Sequence, residues 1–231
     1  MSAMPEFDYS TLLAHSIHEV KNSLNMLLNS VDHVLSTSEE YDTDANKILS
    51  QIQYEGKRVN DDLVGLLAIY RINNKQYNAN IDEYNVYDFL QENIAQHEVM
   101  LRHRGIEEEF ECDEDLYGFF DRDLITGVLS NVINNLYKYT KDKLSITAFK
   151  EDGYLVIKIK DNGPGYPAHM IVSHQESDNQ NNISFENANT GLGLYFSKLA
   201  AELHKNKKKH GYITTTNDGI DGGGCFSIYL P

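Results

Sequence analysis

Cysteine is nearly absent: Cys112 and Cys225 are the only two, and they lie far apart in the chain. They offer neither the paired spacing of a metal site nor the density of a disulfide scaffold, so a reducing compartment suffices and the cytoplasm is the expected location. Basic residues are also scarce, with 20 Lys and Arg against 35 Asp and Glu, a formal charge of −15. Such a field repels phosphate backbones and anionic headgroups, which argues against nucleic acid as a partner. The basic run Lys205-Asn206-Lys207-Lys208-Lys209 reads as a solvated turn. Long apolar runs are missing too. The longest, around Leu63 to Tyr70, is less than half a membrane span, and residues 1–15 lack a basic start followed by an apolar core. No membrane span is expected; if the protein senses a signal, the sensing part is expected to be another chain, a ligand on these domains, or something the sequence does not announce.

What is present suffices for two folded units, since 231 residues with 41% hydrophobic content can bury a real core. Leu13, Ile17, Val20, Leu24, Leu27, Val31 and Val34 recur in alternating steps of four and three, the stripe of a bundled helix over about residues 9–35. The polar stretch Ser36 to Asp44 interrupts it. Ile48, Ile52, Val59, Leu63, Leu66 and Ile69 then mark a second helix to about Ile72. One such hairpin buries too little surface to stand alone, whereas two copies make a four-helix bundle, so a homodimer is expected. Residues 73–83 read as a linker.

The remainder, residues 84–231, has the order of an α+β sandwich. A helix is expected from Val86 to about His103, a strand from Ile106 to Cys112, and a strong helix from Leu124 to Tyr139. Strands Leu144 to Phe149 and Tyr154 to Lys160 flank the turn Glu151-Asp152-Gly153. Residues 163–189 read as a mobile loop, followed by a helix from Gly191 to Leu203 and strands Gly211 to Thr216 and Gly224 to Leu230.

The second strand of that hairpin runs into Asp161-Asn162-Gly163-Pro164-Gly165, and Gly191-Leu192-Gly193-Leu194 opens a helix 26 residues beyond Gly165. Glycines let backbone approach a ligand, and a helix N-terminus presents free N–H groups to phosphate. On the strong helix, Asn131 and Asn135 lie one turn apart on one face, and asparagine is a mediocre helix former. Together, Asn131 to Thr140 (NVINNLYKYT), Asp161 to Gly165 (DNGPG) and Thr190 to Leu194 (TGLGL) resemble the N, G1 and G2 boxes of the histidine-kinase ATP-binding domain, in family order. The ending Gly211 to Pro231 is similar to that domain's last two strands. The resemblance implies a Bergerat-type ATP-binding domain over residues 84–231 with ATP and Mg²⁺ as its cofactors. It places Asn135 on Mg²⁺, Asn131 and Lys138 near the phosphates, and Asp161 on the adenine amino group. Gly163, Gly165, Gly191, Leu192 and Gly193 would shape the pocket and its lid. No phenylalanine pair occurs between Gly165 and Thr190, where only Phe185 is found, and Leu136 stands where the family usually carries alanine. Hydrolytic relatives in the wider superfamily place a glutamate where Asn131 stands; an amide has no usable basic pKa, which favours transfer over hydrolysis.

On the first helix, His18-Glu19-Val20-Lys21-Asn22-Ser23-Leu24 resembles the H box of the same kinases. The resemblance implies that residues 1–72 form a dimerisation and phosphoacceptor domain in which His18 takes the terminal phosphate of ATP. A neutral imidazole attacks through one nitrogen only if the other holds the proton, and Glu19 is the candidate acceptor that fixes this tautomer. Asn22, one turn on, would position water against a phosphorylated aspartate on a response-regulator receiver domain, giving a phosphatase activity. The rival reading is a dimeric histidine phosphotransferase whose second domain is nucleotide-free; intact Asn135, Asp161 and glycines speak against it.

Overall fold

The computed structural model of the chain describes residues 9–37, 43–173 and 191–231. The chain divides into two compact units, Met1–Gln76 and Tyr77–Pro231.

The first unit is built of α1 (Tyr9–Thr37) and α2 (Thr43–Asn73). Gly56 on α2 seats against Leu28 and Leu24 on α1, where an added Cβ would come within 2.6 Å of Leu28 Cδ2. Ile17, Leu67 and Ile69 are buried, but much of the apolar stripe is not: Val20, Leu27, Val34, Ile48, Ile52 and Val59 are all more than 40% exposed. An open groove runs between Leu27 of α1 and Ile48, Ile52 and Val59 of α2. The end of α2 is a Schellman cap. Gln76 N–H donates to Arg71 O at 2.8 Å and Lys75 N–H to Ile72 O at 3.0 Å, with Lys75 in the left-handed region at φ 57°.

The second unit begins with β1 (Ile81–Asn85), α3 (Val86–Ala95), α4 (Glu98–His103), β2 (Glu107–Cys112), β3 (Tyr117–Asp121) and α5 (Arg122–Tyr139). It continues through β4 (Lys143–Glu151), β5 (Tyr154–Asp161), α6 (Gly191–Leu203), the short hairpin β6 (Lys205–Asn206) and β7 (Lys209–His210), β8 (Tyr212–Thr216) and β9 (Cys225–Leu230). The main sheet has the order β2-β4-β5-β9-β8, parallel only between β2 and β4. Alternation along the strands puts Leu144, Ile146, Ile157, Ile159, Phe226, Ile228 and Ile213 on one face, all essentially solvent-free. Helices supply the other layer of this core, with Leu124, Ile125, Val128, Leu129, Val132, Ile133 and Leu136 of α5 all buried. Each large side chain buried in this core contributes about 1.5–3 kcal/mol.

Three features depart from expectation. Residues 81–83, read as linker, pair as β1 with β3, Ile81 opposite Asp121 and Asn85 opposite Tyr117. This ribbon buries one face around Phe120, whose ring meets those of Phe89 and Tyr84. The helix expected over 86–103 is two helices, because the chain tightens after α3, with His97 N–H bonding Ile94 O at 2.8 Å. The loop expected over 163–189 carries a 3₁₀ turn at Ala168–Met170 and a bridge from Val172 to Thr215 on the sheet edge. The rest of that loop, residues 174–189 with Phe185, lies outside the described residues, as do Thr190 and residues 38–42. The β4–β5 turn forms as expected, Asp152 and Gly153 both taking positive φ.

Candidate functional site

Helix α5 carries the asparagines, and its start is set by one carboxylate. Asp121 is the N-cap: Oδ1 accepts from Leu124 N–H at 3.0 Å, while Oδ2 accepts from Asn80 N–H at 2.8 Å and the Tyr77 hydroxyl at 3.3 Å. The backbone N–H of Asp121 donates to His204 Nε2 at 2.9 Å, just after α6. Because Nε2 accepts, the proton sits on Nδ1, which donates to Ala200 O at 2.7 Å. Burial holds the His204 pKa below its ordinary value, against the opposing pull of Ala200 O and Asp121. The imidazole is therefore a neutral strut that ties α6 to the start of α5.

Further along α5, Asn131 is half-buried, Asn134 buried, and Asn135 and Lys138 exposed. Asn134 thus belongs to the packed side, while Asn131, Asn135 and Lys138 remain available to a ligand. A Cβ placed on Gly193, in the first turn of α6, would lie 3.6 Å from Asn131 Cβ, so the two helices touch at the point where both motifs occur. The first residues of α6 are Gly191, Leu192 and Gly193, and the leading N–H groups of a helix have no intrahelical partner.

At the other end of the motif, Asp161 closes β5 and is 8% exposed. Its carboxylate accepts from Gly163 N–H at 2.6 Å. Burial pushes its pKa up, and the N–H groups of Gly163 and Gly224 pull it back toward the charged form. The surrounding backbone is close. A Cβ on Gly163 would come within 2.5 Å of Tyr139 O, at the end of α5, and one on Gly224 within 2.6 Å of Asp161 Oδ2. Gly163 therefore touches one end of the asparagine motif and Gly193 the other, about 12 Å apart along eight helical residues. Asn131 and Gly193 thus meet near the middle of α5, and Asp161 and Gly163 lie at its C-terminal end, with Asn135 and Lys138 exposed on the turns between.

Asn162 does a different job from its neighbours. Its Oδ1 accepts from Asp142 N–H at 3.2 Å and Lys143 N–H at 3.0 Å, and its Nδ2 donates to Asp142 Oδ1 at 2.6 Å. It pins the connection from α5 to β4 and so fixes Asp161 against the helix. Gly165 adopts φ 77°, and the next residue, Tyr166, is clamped by Asn217: Tyr166 N–H donates to Asn217 Oδ1 at 2.6 Å, and Asn217 Nδ2 donates to Tyr166 O at 3.0 Å. Sequence reasoning missed Tyr166, Asn217, Asn162 and His204. Tyr166 could have been suspected from its place inside the glycine-rich turn; nothing local marks a partner 51 residues away.

An Mg²⁺ ion prefers hard oxygen donors and keeps several waters or phosphate oxygens. Among the described residues no group of three or more His, Cys, Asp or Glu could hold a metal by itself. The exposed amide of Asn135 fits a cation that draws the rest of its shell from a ligand and water. In the first unit, His18 falls within α1 one residue after buried Ile17 and is described by its backbone alone, while Glu19 and Asn22 are exposed.

Residues 120–231 match the family model described as histidine kinase-, DNA gyrase B-, and HSP90-like ATPase. The sensor protein kinase PilS of Pseudomonas aeruginosa is 27% identical over 224 residues, a match covering 94% of this chain and 39% of PilS. The chain thus spans about two fifths of that relative's length. Among solved structures, the Acinetobacter baumannii histidine kinase AdeS aligns with a TM-score of 0.59 at 21% identity, covering 92% of this chain and 96% of that one. Full-length ShkA, solved in complex with AMPPNP, aligns with a TM-score of 0.64 at 18% identity over 96% of this chain and 45% of its own. At these identities the structural likeness speaks for the fold.

Proposed function

We propose that this chain, the catalytic region of a two-component sensor histidine kinase, phosphorylates itself on His18 from ATP and passes the phosphoryl group to an aspartate of a response-regulator receiver domain. The observation that carries the reading is the buried Asp161 carboxylate, framed by the N–H groups of Gly163 and Gly224 and joined through α5 to Asn131 and Gly193. A carboxylate in that setting is suited to accept from the amino group of a purine, and the open turn of α6 is suited to phosphate.

The residues then divide the work. Asp161 selects the base, Gly163 and Gly165 admit it, and Gly191, Leu192 and Gly193 offer backbone N–H groups to the phosphates. Asn131 and Lys138 neutralise and orient them. Bound through Asn135 and the phosphate oxygens, Mg²⁺ would supply charge neutralisation during transfer. A ring nitrogen lone pair of neutral His18 forms the new bond to the γ-phosphorus as the bond to the bridging oxygen breaks, and ADP leaves. Glu19 accepts the proton from the other ring nitrogen. Asn131 offers no general base to water, so the phosphoryl group is directed to the imidazole.

The exposed stripe of Val20, Leu27, Ile48, Ile52 and Val59 supports a homodimer through a four-helix bundle, because a lone helical pair leaves this surface in water. Asn22, exposed on α1, is the residue for positioning water in dephosphorylation of the regulator. No described helix is long and apolar enough to cross a membrane, and the cytoplasm is the proposed location.

Incubation with γ-labelled ATP and Mg²⁺ is expected to give acid-labile, alkali-stable label on the wild type and none on His18→Ala. Label of equal intensity on that variant would refute His18 as acceptor. Asn135→Ala is expected to lose Mg²⁺-dependent nucleotide binding together with labelling.

A further inference from the structure

Beside the Asp161 carboxylate stands a side chain that the roles above do not use. One point, the position a Cβ would take on Gly224, lies 2.6 Å from Asp161 Oδ2 and 3.1 Å from Tyr166 Cε2. The Tyr166 ring and the base-reading carboxylate therefore flank the same small volume, and the residue opposite them has no side chain to fill it. Burial pushes the Tyr166 phenol pKa well up, and the Asp161 charge adds to that rise. Its backbone is held from both sides. The Asn217 amide accepts Tyr166 N–H and donates to Tyr166 O, a two-point clamp from the loop after β8. The clamp fixes the point from which the ring projects, because shifting that backbone means breaking both bonds.

We infer that Tyr166 is a specificity-determining residue of the nucleotide site: its ring closes the space beyond the amino group that Asp161 accepts, and so excludes bases that carry a bulky substituent there. This rests on the nucleotide reading of the Asp161 site. The geometry gives the reason. A substituent on an amino nitrogen bound to Asp161 has to find space beside the carboxylate, and there the Tyr166 ring edge stands 3.1 Å from the Cβ position of Gly224. Asn217 is the positioning residue that fixes the backbone from which the ring projects. A ring of this size removes several carbon positions that a smaller side chain would leave open, and overpacking at such a wall is not relieved by small shifts.

The test is isothermal titration of the full chain with Mg-ATP and with N6-benzyl-ATP. Wild type is expected to prefer ATP by about a hundredfold, the range over which a pocket rejects excess bulk. Tyr166→Ala, and Tyr166→Leu as a better-packed second variant, should cut this preference to about fivefold or less, chiefly by gaining affinity for the benzyl analogue. Tyr166→Phe should retain it. Asn217→Ala should lose selectivity chiefly by gaining affinity for the benzyl analogue, a gain that a general loss of folding would not produce. Wild type that binds both nucleotides equally, or an undiminished preference in both the Ala and Leu variants, would overturn the wall and leave the nucleotide site standing. Wild type that binds neither nucleotide would overturn the nucleotide reading itself, and this inference with it.

Discussion

Replacing His204 by glutamine separates a structural imidazole from the many carboxylates that also titrate in this acidic chain. His204 is 1% exposed, accepts Asp121 N–H through Nε2 and donates from Nδ1 to Ala200 O. Protonation would set a second N–H against the N–H of Asp121 and bury a charge, so the folded pKa lies below the unfolded 6.5. The sign follows from proton counting. Between the folded value and 6.5 the unfolded chain binds more protons, so acid favours unfolding; stability from neutral His204 is full above 6.5 and falls as pH drops. The slope is at most about 1.4 kcal/mol per pH unit. At pH 7.5 the substitution should cost about 1–3 kcal/mol, the range for disturbing a buried hydrogen-bonded group. At pH 5.5 it should cost about 1 kcal/mol less, because the wild type has by then lost part of what the mutant never had. Urea unfolding of both proteins at pH 7.5, 6.5 and 5.5 measures the difference, in which the carboxylates cancel. An equal cost at all three values would refute the neutral strut.

Asn162→Asp should bring two carboxylates together where Nδ2 now meets Asp142 Oδ1 at 2.6 Å. The loss is expected to be about 2 kcal/mol or more at pH 7.5 and to shrink toward pH 4 as one carboxyl is protonated, read by the same unfolding assay. Gly163→Ala puts a methyl group 2.5 Å from the carbonyl oxygen of Tyr139 and 2.7 Å from Asp161 Oδ1, and the Tyr139 backbone cannot yield cheaply. It should weaken nucleotide affinity by about tenfold or more in titration calorimetry, with the far-ultraviolet circular dichroism unchanged.

The elements that were legible in the sequence are those held by local chemistry. The β4–β5 hairpin is written in Asp152-Gly153, and α6 begins at Gly191 and ends at Leu203 as its apolar pattern requires. β1 was hidden because five residues, IDEYN, form a ribbon with mostly exposed side chains, so no alternation separates them from a polar linker. The break between α3 and α4 rests on one tightened turn at His97, invisible to a periodicity that continues on both sides. The motifs of the candidate site were visible as glycines and asparagines; the residues that fix them were not. Asn217 reaches Tyr166 across 51 positions and His204 reaches Asp121 across 83, pairings that only the folded sheet brings together. Asn162 shows the limit from the other side, since it sits inside the recognised turn yet serves the neighbouring connection through Asp142 and Lys143.

The cap at the end of α2 also sets a rule for building chimaeras. Lys75 and Gln76 spend their N–H groups on Ile72 and Arg71, so the chain through Gln76 belongs to the helix before it. Tyr77 donates its hydroxyl and Asn80 its N–H to Asp121, so the chain from Tyr77 belongs to the helix that carries the asparagines. A splice that imports a foreign helical pair keeps both sets of bonds if it is cut between Gln76 and Tyr77. A cut a few residues later, at the polar stretch that looks the natural joint, would carry off the donors that hold the first turn of α5.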